Sequence, residues 1–228
     1  MEVLVVKAYF PLFSIRQFET YQVAVSYPFI PPSTIVGALG RGLAEVGRCA
    51  GAQCLEEARR LVKKARDSAG DAVKTAVVLK RSRGVLEDRR MPVSEKELRS
   101  FSDALLREYV VAVEKSILVI PHRDLDVLVD AAWHVERFGD SESIASVKVE
   151  VARAEKCDGG GVNVVVDLEE AEGGLFTVYT AWDEKGARKD FAAPVASVGN
   201  PGVFKAGKVE VKGGVYCVGN LKFPASWI

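Results

Sequence analysis

The chain has 228 residues, 48% of them hydrophobic and 27% charged, enough to bury a sizeable core as one large domain or two small ones. No apolar run is long enough to span a bilayer, and Met1-Glu2-Val3-Leu4-Val5-Val6-Lys7 lacks the basic region and long apolar stretch of a secretory leader, so a cytoplasmic protein with no membrane partner is expected. The net charge of zero is made of opposed blocks: 20 Lys/Arg against 14 Asp/Glu over residues 1–123 (+6), 7 against 16 over 124–200 (−9), and 4 against 1 over 201–228 (+3), which predicts one basic and one acidic face.

Residues 3–10 are short, apolar and β-branched, the pattern of a strand buried on both faces. A loop rich in aromatics and prolines occupies 11–32, long for a connection without structure of its own, and loops of that length are usually functional. From Ser33 the pattern turns helical, with Ile35, Leu39, Leu43 and Val46 recurring on one face and Ser33 or Thr34 placed to cap. A second amphipathic helix is expected over about 55–69, a strand over 75–79, and a polar, basic interruption over 80–107. Residues 109–120 read as a strand stopped by Pro121, 124–138 as a helix closed by Gly139, and 144–152 as a strand. The order strand, helix, strand, strand, helix, strand is the ferredoxin-like split arrangement, with a helical extension and an insertion added. Beyond residue 154, short β-rich runs over 162–168, 175–182 and 208–218 are separated by Gly-rich turns. Lys208-Val209-Glu210-Val211-Lys212, Gly213-Gly214 and Val215-Tyr216-Cys217-Val218 carry a hairpin signal. The expected fold class is therefore α+β: a domain over 1–154 with its insertion at 80–107, and a small antiparallel β unit over 155–228.

Cys49, Cys54, Cys157 and Cys217 are too few and too scattered for a secreted disulfide scaffold. Cys49 and Cys54 read as two thiols at a helix–helix junction. Only three Asn and three Gln beside the high charge content hint at a thermophilic source, where a Cys49–Cys54 disulfide gains plausibility. No metal site or cofactor is expected: no CxxC occurs, and Gly159-Gly160-Gly161 lacks the Gly-Lys-Ser/Thr ending of a phosphate loop.

The densest signal is Tyr27-Pro28-Phe29-Ile30-Pro31-Pro32-Ser33-Thr34-Ile35-Val36-Gly37-Ala38-Leu39. Its prolines force an extended approach to a helix whose first N–H groups attract anions. Gly37 and Gly40 cost helix stability and point to close approach of another backbone or of a nucleotide. On physical grounds alone a tightly packed capped helix and a nucleotide-binding helix start fit equally.

This run, preceded by Phe13-Ser14-Ile15-Arg16, resembles the amino-terminal signature of the CRISPR-associated protein 5 family, within the repeat-associated mysterious proteins. The close match covers the first forty-odd residues; the element order and the tail ending Leu221-Lys222-Phe223-Pro224-Ala225-Ser226-Trp227 agree with it. The resemblance implies a ferredoxin-like, RNA-recognition-like domain that caps the 5′ handle of a guide RNA (crRNA) in a Cascade-like interference complex. It further implies contact with a backbone subunit of the CRISPR-associated protein 7 family, with large and small Cascade subunits as further partners; size and composition favour a type I-A assembly of archaeal origin.

Arg16, Tyr27, Ser33, Thr34 and Gly37 are then the expected handle site. The insertion, where the family carries a thumb, adds Lys80, Arg81, Arg83, Arg89, Arg90 and an apolar tip at Met91; residues 74–99 hold eight basic and four acidic residues. Taken alone, such a charge run reads as a solvated loop; beside the resemblance, RNA contact is the reading adopted. No catalytic set is expected. His122 lies between Pro121 and Arg123, His134 follows Trp133 in a helix, and Tyr21, Tyr27 and Lys80 form no recognisable acid–base group. Two alternatives stand beside the RNA-capping subunit: a metal-independent endoribonuclease processing guide precursor, as in some subtype I-C relatives, and a protein–protein adaptor with weak RNA binding. The acidic residues of 124–190 are expected on a solvated surface.

Overall fold

A computed structural model covers residues 1–228 and describes all but Glu19, Tyr21, Gln22, Ser82, Ser102, Asn200 and Pro201, and all side chains but theirs and those of Leu79, Lys80, Arg81, Arg83, Leu86 and Asp103. The first part runs β1 (Glu2–Tyr9), β2 (Val23–Ala24), α1 (Pro32–Glu45), α2 (Gln53–Leu61), β3 (Val62–Asp67) and β4 (Ala72–Arg81). It continues α3 (Arg83–Asp88), α4 (Glu95–Phe101), β5 (Asp103–Val111), β6 (Glu114–Pro121), α5 (Leu125–Trp133) and β7 (Ser146–Arg153). Strands β3, β6, β1 and β7 lie side by side in that order, every neighbour antiparallel.

Both faces of β1 are covered over Val3–Val6, which explains its apolar run there. Leu4, Val6 and Ala8 enter one buried cluster with Ile35 and Leu39 of α1 and Leu128 of α5. Val3 and Val5 enter a second cluster with Val162, Val209, Phe223 and Trp227 from beyond residue 154. The period-2 alternation of a strand therefore serves helices on one side and C-terminal strands on the other.

Five expected elements differ in extent or placement. The helix over 55–69 ends at Leu61, and the second strand of the sheet is β3 rather than residues 75–79. Residues 75–79 belong to β4, which pairs with β5 from Val73↔Val111 to Arg81↔Asp103 in a long hairpin carrying α3 and α4. The projecting insertion thus spans 72–111 rather than 80–107. The run 109–120 is two strands, β5 and β6, parted at Ala112-Val113, and α5 stops at Trp133, five residues before Phe138. Gly139 keeps the positive φ expected of it (+90°), but in a turn beyond the helix.

The C-terminal part is β8 (Glu155–Cys157), β9 (Gly161–Val162), β10 (Val166–Asp167), β11 (Ala171–Leu175), β12 (Thr177–Trp182) and β13 (Arg188–Ala193). Then come β14 (Val195–Ser197), β15 (Val203–Ala206), β16 (Lys208–Val211), β17 (Val215–Val218) and β18 (Leu221–Pro224). Among the described residues they form the sheets β10-β13-β12, β11-β16-β9 and β18-β17-β8, while β14 and β15 join β4, β5 and β2. Gly213-Gly214 does not close a hairpin: β16 and β17 lie in different sheets. The two-residue hairpin is β17–β18, turning at Gly219-Asn220 with Gly219 at φ +55°.

Both cysteine pairs are disulfides, Cys49–Cys54 and Cys157–Cys217, with Cα atoms 5.2 and 5.9 Å apart. The two-thiol reading of Cys49 and Cys54 is therefore corrected: the pair closes the α1–α2 junction. The acidic residues are not all on the surface either. Asp167, Asp183 and Glu184 are buried. Arg66, fully buried on β3, donates to Asp167 Oδ1 at 2.7 Å and pairs with Glu184, while Lys64 reaches Asp167 Oδ2 at 2.8 Å. Burial pushes the Asp167 carboxyl up, but Arg66, Lys64 and Lys189 outweigh it and hold it below the usual carboxylate range. Among the described residues no helix is long and apolar enough to cross a membrane.

Candidate nucleic-acid interface

Helix α1 begins as the prolines dictate, but its cap differs from expectation. Pro31, extended at φ −60° and ψ 150°, is the N-cap and Pro32 the first helical residue. Ser33 and Thr34 sit inside the first turn, and no side chain caps it. The Thr34 and Ile35 N–H groups donate to the Pro31 carbonyl at 3.0 and 3.2 Å. Pro32 has no N–H, so Ser33 holds the open donor of this turn; no acceptor within the chain reaches it among the described residues.

The approach to the helix is fixed by a buried ion pair. Asp67 at the end of β3 accepts the Ile30 N–H at 2.9 Å, and Lys115 of β6 donates to the Pro28 carbonyl at 3.1 Å. The two charges lie 3.5 Å apart, with side chains at most 1% exposed. Burial pushes the Asp67 carboxyl up to about 6, although Lys115 and the Ile30 N–H oppose the shift.

In front of this helix start lies an open cleft of about 410 Å³ that brings together four expected residues, Arg16, Tyr27, Ser33 and Thr34, with Phe18 and Trp182. Arg16 is exposed and bonds Thr20, through Nε to Oγ1 at 3.3 Å and through a terminal nitrogen to the backbone carbonyl. Tyr27 lines the cleft while largely buried: its hydroxyl donates to the Thr180 carbonyl at 2.5 Å and accepts the Phe18 N–H at 3.2 Å. Burial pushes its pKa up against the Phe18 N–H and Arg188, so it stays a neutral phenol.

Gly37 opens on an adjacent recess of about 260 Å³ shared with Thr34, Arg41 and Arg137. A side chain there would meet nothing within 4 Å, so Gly37 serves no close helix packing. That role belongs to Gly40, whose added Cβ would stand 3.1 Å from the Cys54 carbonyl, and above all to Gly42, where it would overlap the Ala131 carbonyl of α5.

Of the insertion residues whose side chains are described, Arg89, Arg90 and Met91 line neither cleft. Lys80 and Arg81 end β4 and Arg83 starts α3, with their side chains outside the described set. Arg89 is exposed in the left-handed region at φ 51°. Arg90 is held by Glu97 at 2.6 Å and lies 4.7 Å over the Phe101 ring, while Met91 projects at 73% exposure. Tyr21 lies outside the described residues. His122 and His134 line neither cleft; the His134 Nδ1 meets the Asp130 carbonyl at 2.8 Å. Among the described residues no group of three His, Cys, Asp or Glu could hold a metal ion.

The sequence reading missed Phe18, Trp182, Arg41 and Arg137. Arg41 had a signal, one helical turn after Gly37; nothing in the sequence links Trp182 to a helix almost 150 residues earlier.

The chain matches the family model described as CRISPR-associated protein (Cas_Cas5) over residues 3–195. It is 41% identical over 226 residues to the CRISPR-associated protein Cas5 of Thermoproteus tenax, covering 98% of each chain. Its fold is similar to a crystal structure of a CRISPR protein from Archaeoglobus fulgidus, with TM-score 0.59, 15% identity and 97% of each chain covered. It is also similar to a chain of a CRISPR RNA-guided surveillance complex, with TM-score 0.53, 12% identity, and 92% of this chain and 90% of that one covered. The chain belongs to the CRISPR-associated protein 5 (Cas5) family.

Proposed function

We propose that this chain is a non-catalytic, cytoplasmic guide-RNA-binding subunit of a Cascade-like CRISPR interference complex. It holds the 5′ handle of the crRNA at the start of α1 and contacts a backbone subunit of the CRISPR-associated protein 7 family. The sheet β3-β6-β1-β7, with strand order second, third, first, fourth and helices on one face, supports a ferredoxin-like unit, to which the strands after residue 154 are an appendage. The observation that carries the reading is the cleft itself. Ser33, with its open N–H, Thr34 and Arg16 line it together, and Gly37 lines the recess that shares Thr34 with it. This is a donor set for phosphate and sugar, with Arg16 the one charged residue among the described lining residues.

The test is a filter-binding titration of handle-containing RNA against scrambled-handle RNA across a salt series. Handle preference, a salt slope of about −0.7 per phosphate contact, and loss of preference in Arg16→Ala and Gly37→Val are expected. Equal affinity of both RNAs for all three proteins moves the handle elsewhere. Weak binding without a salt slope supports the adaptor alternative. Labelled repeat RNA incubated in EDTA is expected to stay intact, because Tyr27 is a neutral, doubly bonded phenol; specific cleavage lost in Tyr27→Phe or His122→Ala would establish the endoribonuclease alternative.

A further inference from the structure

The lining of the cleft is partly aromatic, and one of its rings, Trp182, comes from the far end of the chain. Trp182 closes β12, lines the cleft, and keeps 43% of its surface exposed. It meets Phe18 edge-on, with ring centroids 5.2 Å apart at 85°. The Arg188 guanidinium, on the residue paired with Trp182 across the β12–β13 ladder, lies 4.5 Å over the Phe18 ring. Phe18 is thus packed between a cation and an indole, which gives Trp182 a firm backing. A large, partly exposed indole so held is a surface built for contact rather than core packing, since Ala181 beside it is buried.

The geometry points to a one-nucleotide pocket: a single unstacked base of the bound RNA stacks on Trp182 while its sugar and phosphate meet the α1 side of the cleft. This rests on the RNA-binding reading above and adds the stacking residue and the unit of ligand. The volume of about 410 Å³ suits one small ligand and not a duplex. Carboxylates, which would repel a nucleotide, are absent among the described lining residues. Stacking is sequence-tolerant because every base has a π face, so the hydroxyls and Gln17 in the lining are left to discriminate among bases.

The experiment is an abasic scan with the full-length chain. Each handle nucleotide is replaced in turn by an abasic residue, and affinities are measured for wild type, Trp182→Ala, Trp182→Leu and Trp182→Phe, with melting temperatures in parallel. For wild type, one position is expected to lose about tenfold more affinity than its neighbours. Trp182→Ala and Trp182→Leu should bind intact RNA about tenfold more weakly and lose that sensitivity, while Trp182→Phe retains it. Leu keeps an apolar contact with Phe18, so loss in both variants with unchanged melting is an effect of the missing ring. If Trp182→Leu binds intact RNA as wild type does, or keeps the wild-type pattern of abasic losses, the pocket assignment is overturned while the handle reading stands. Wild type that ignores the handle overturns both.

Discussion

Asp67→Asn tests a carboxylate that burial holds above its ordinary range despite a neighbouring lysine. The Asp67 side chain is fully buried, and its pKa is pushed up to about 6 from 3.8. That gap corresponds to about 3 kcal/mol. In the folded chain the proton is held more tightly than in the unfolded chain, so the stability associated with the neutral carboxyl is fully present below pH 3.8 and lost as pH rises through about 6. Of this, about 2 kcal/mol falls between roughly pH 4.5 and 7.5 by the same linkage. Asn cannot ionise, yet its amide oxygen can still accept the Ile30 N–H, so the loop geometry is kept. Unfolding free energies of both proteins from urea titrations at several pH values across that window are expected to diverge. Wild type should lose about 2 kcal/mol relative to the variant as pH rises. Other titrating groups are common to both and cancel in the difference. The offset between the two curves at low pH, where Asp67 is neutral, is read separately from the slope. Parallel curves would refute the reasoning, because Asp67 would then titrate alike in folded and unfolded chains.

Replacing Cys157 and Cys217 with Ser, which opens a separation of 60 residues, should cost about 4 kcal/mol by loop entropy, against about 2 kcal/mol for Cys49 and Cys54 with a separation of 5; denaturant titration ranks the two. Gly42→Ala should destabilise by about 1–3 kcal/mol because its methyl overlaps the Ala131 carbonyl, whereas Gly37→Ala, facing open space within a helix, should stabilise by about 0.5–1 kcal/mol; melting temperatures moving the same way would contradict the packing described. Arg89→Ala should flatten the salt slope of RNA binding by about 0.7 if the insertion grips a phosphate, and an unchanged slope would make the tip a solvated loop.

How much of this was legible depends on where each residue's partner lies. Strand β1 was readable because both its faces are apolar and the signal is local. The start of α1 was readable for the same reason, since Pro31 and Pro32 act on their own backbone. Strand β3 was not. Its sequence, Val62-Lys63-Lys64-Ala65-Arg66-Asp67, looks like the polar end of a helix, because its charges are matched by residues far away. Arg66 and Lys64 meet Asp167 and Glu184 from a hundred or more positions downstream, and Asp67 meets Lys115. Residues 75–79 were legible as a strand but not as part of a projecting hairpin, where Val77 and Val78 lie 39% and 62% exposed. Hydrophobic pattern reports burial only when neutralising partners and exposed apolar faces are absent.

The same long-range wiring ties the candidate site to the C-terminal strands. The hydroxyl of Tyr27, which lines the cleft, donates to the Thr180 carbonyl, and Trp182 lines the cleft with it. The second buried cluster places Val3, Val5, Leu118 and Ile120 of the main sheet against those same strands. The sheet carries Asp67 and Lys115, which hold Pro28 and Ile30 and thereby aim α1. The Arg16, Ser33 and Thr34 side of the cleft is consequently placed from beneath by the sheet, and its aromatic side by a hairpin that also covers Tyr27. Neither half of the cleft has its shape without residues from both parts of the chain. The cleft is thus a property of the assembled fold, although its most recognisable motif is thirteen residues long.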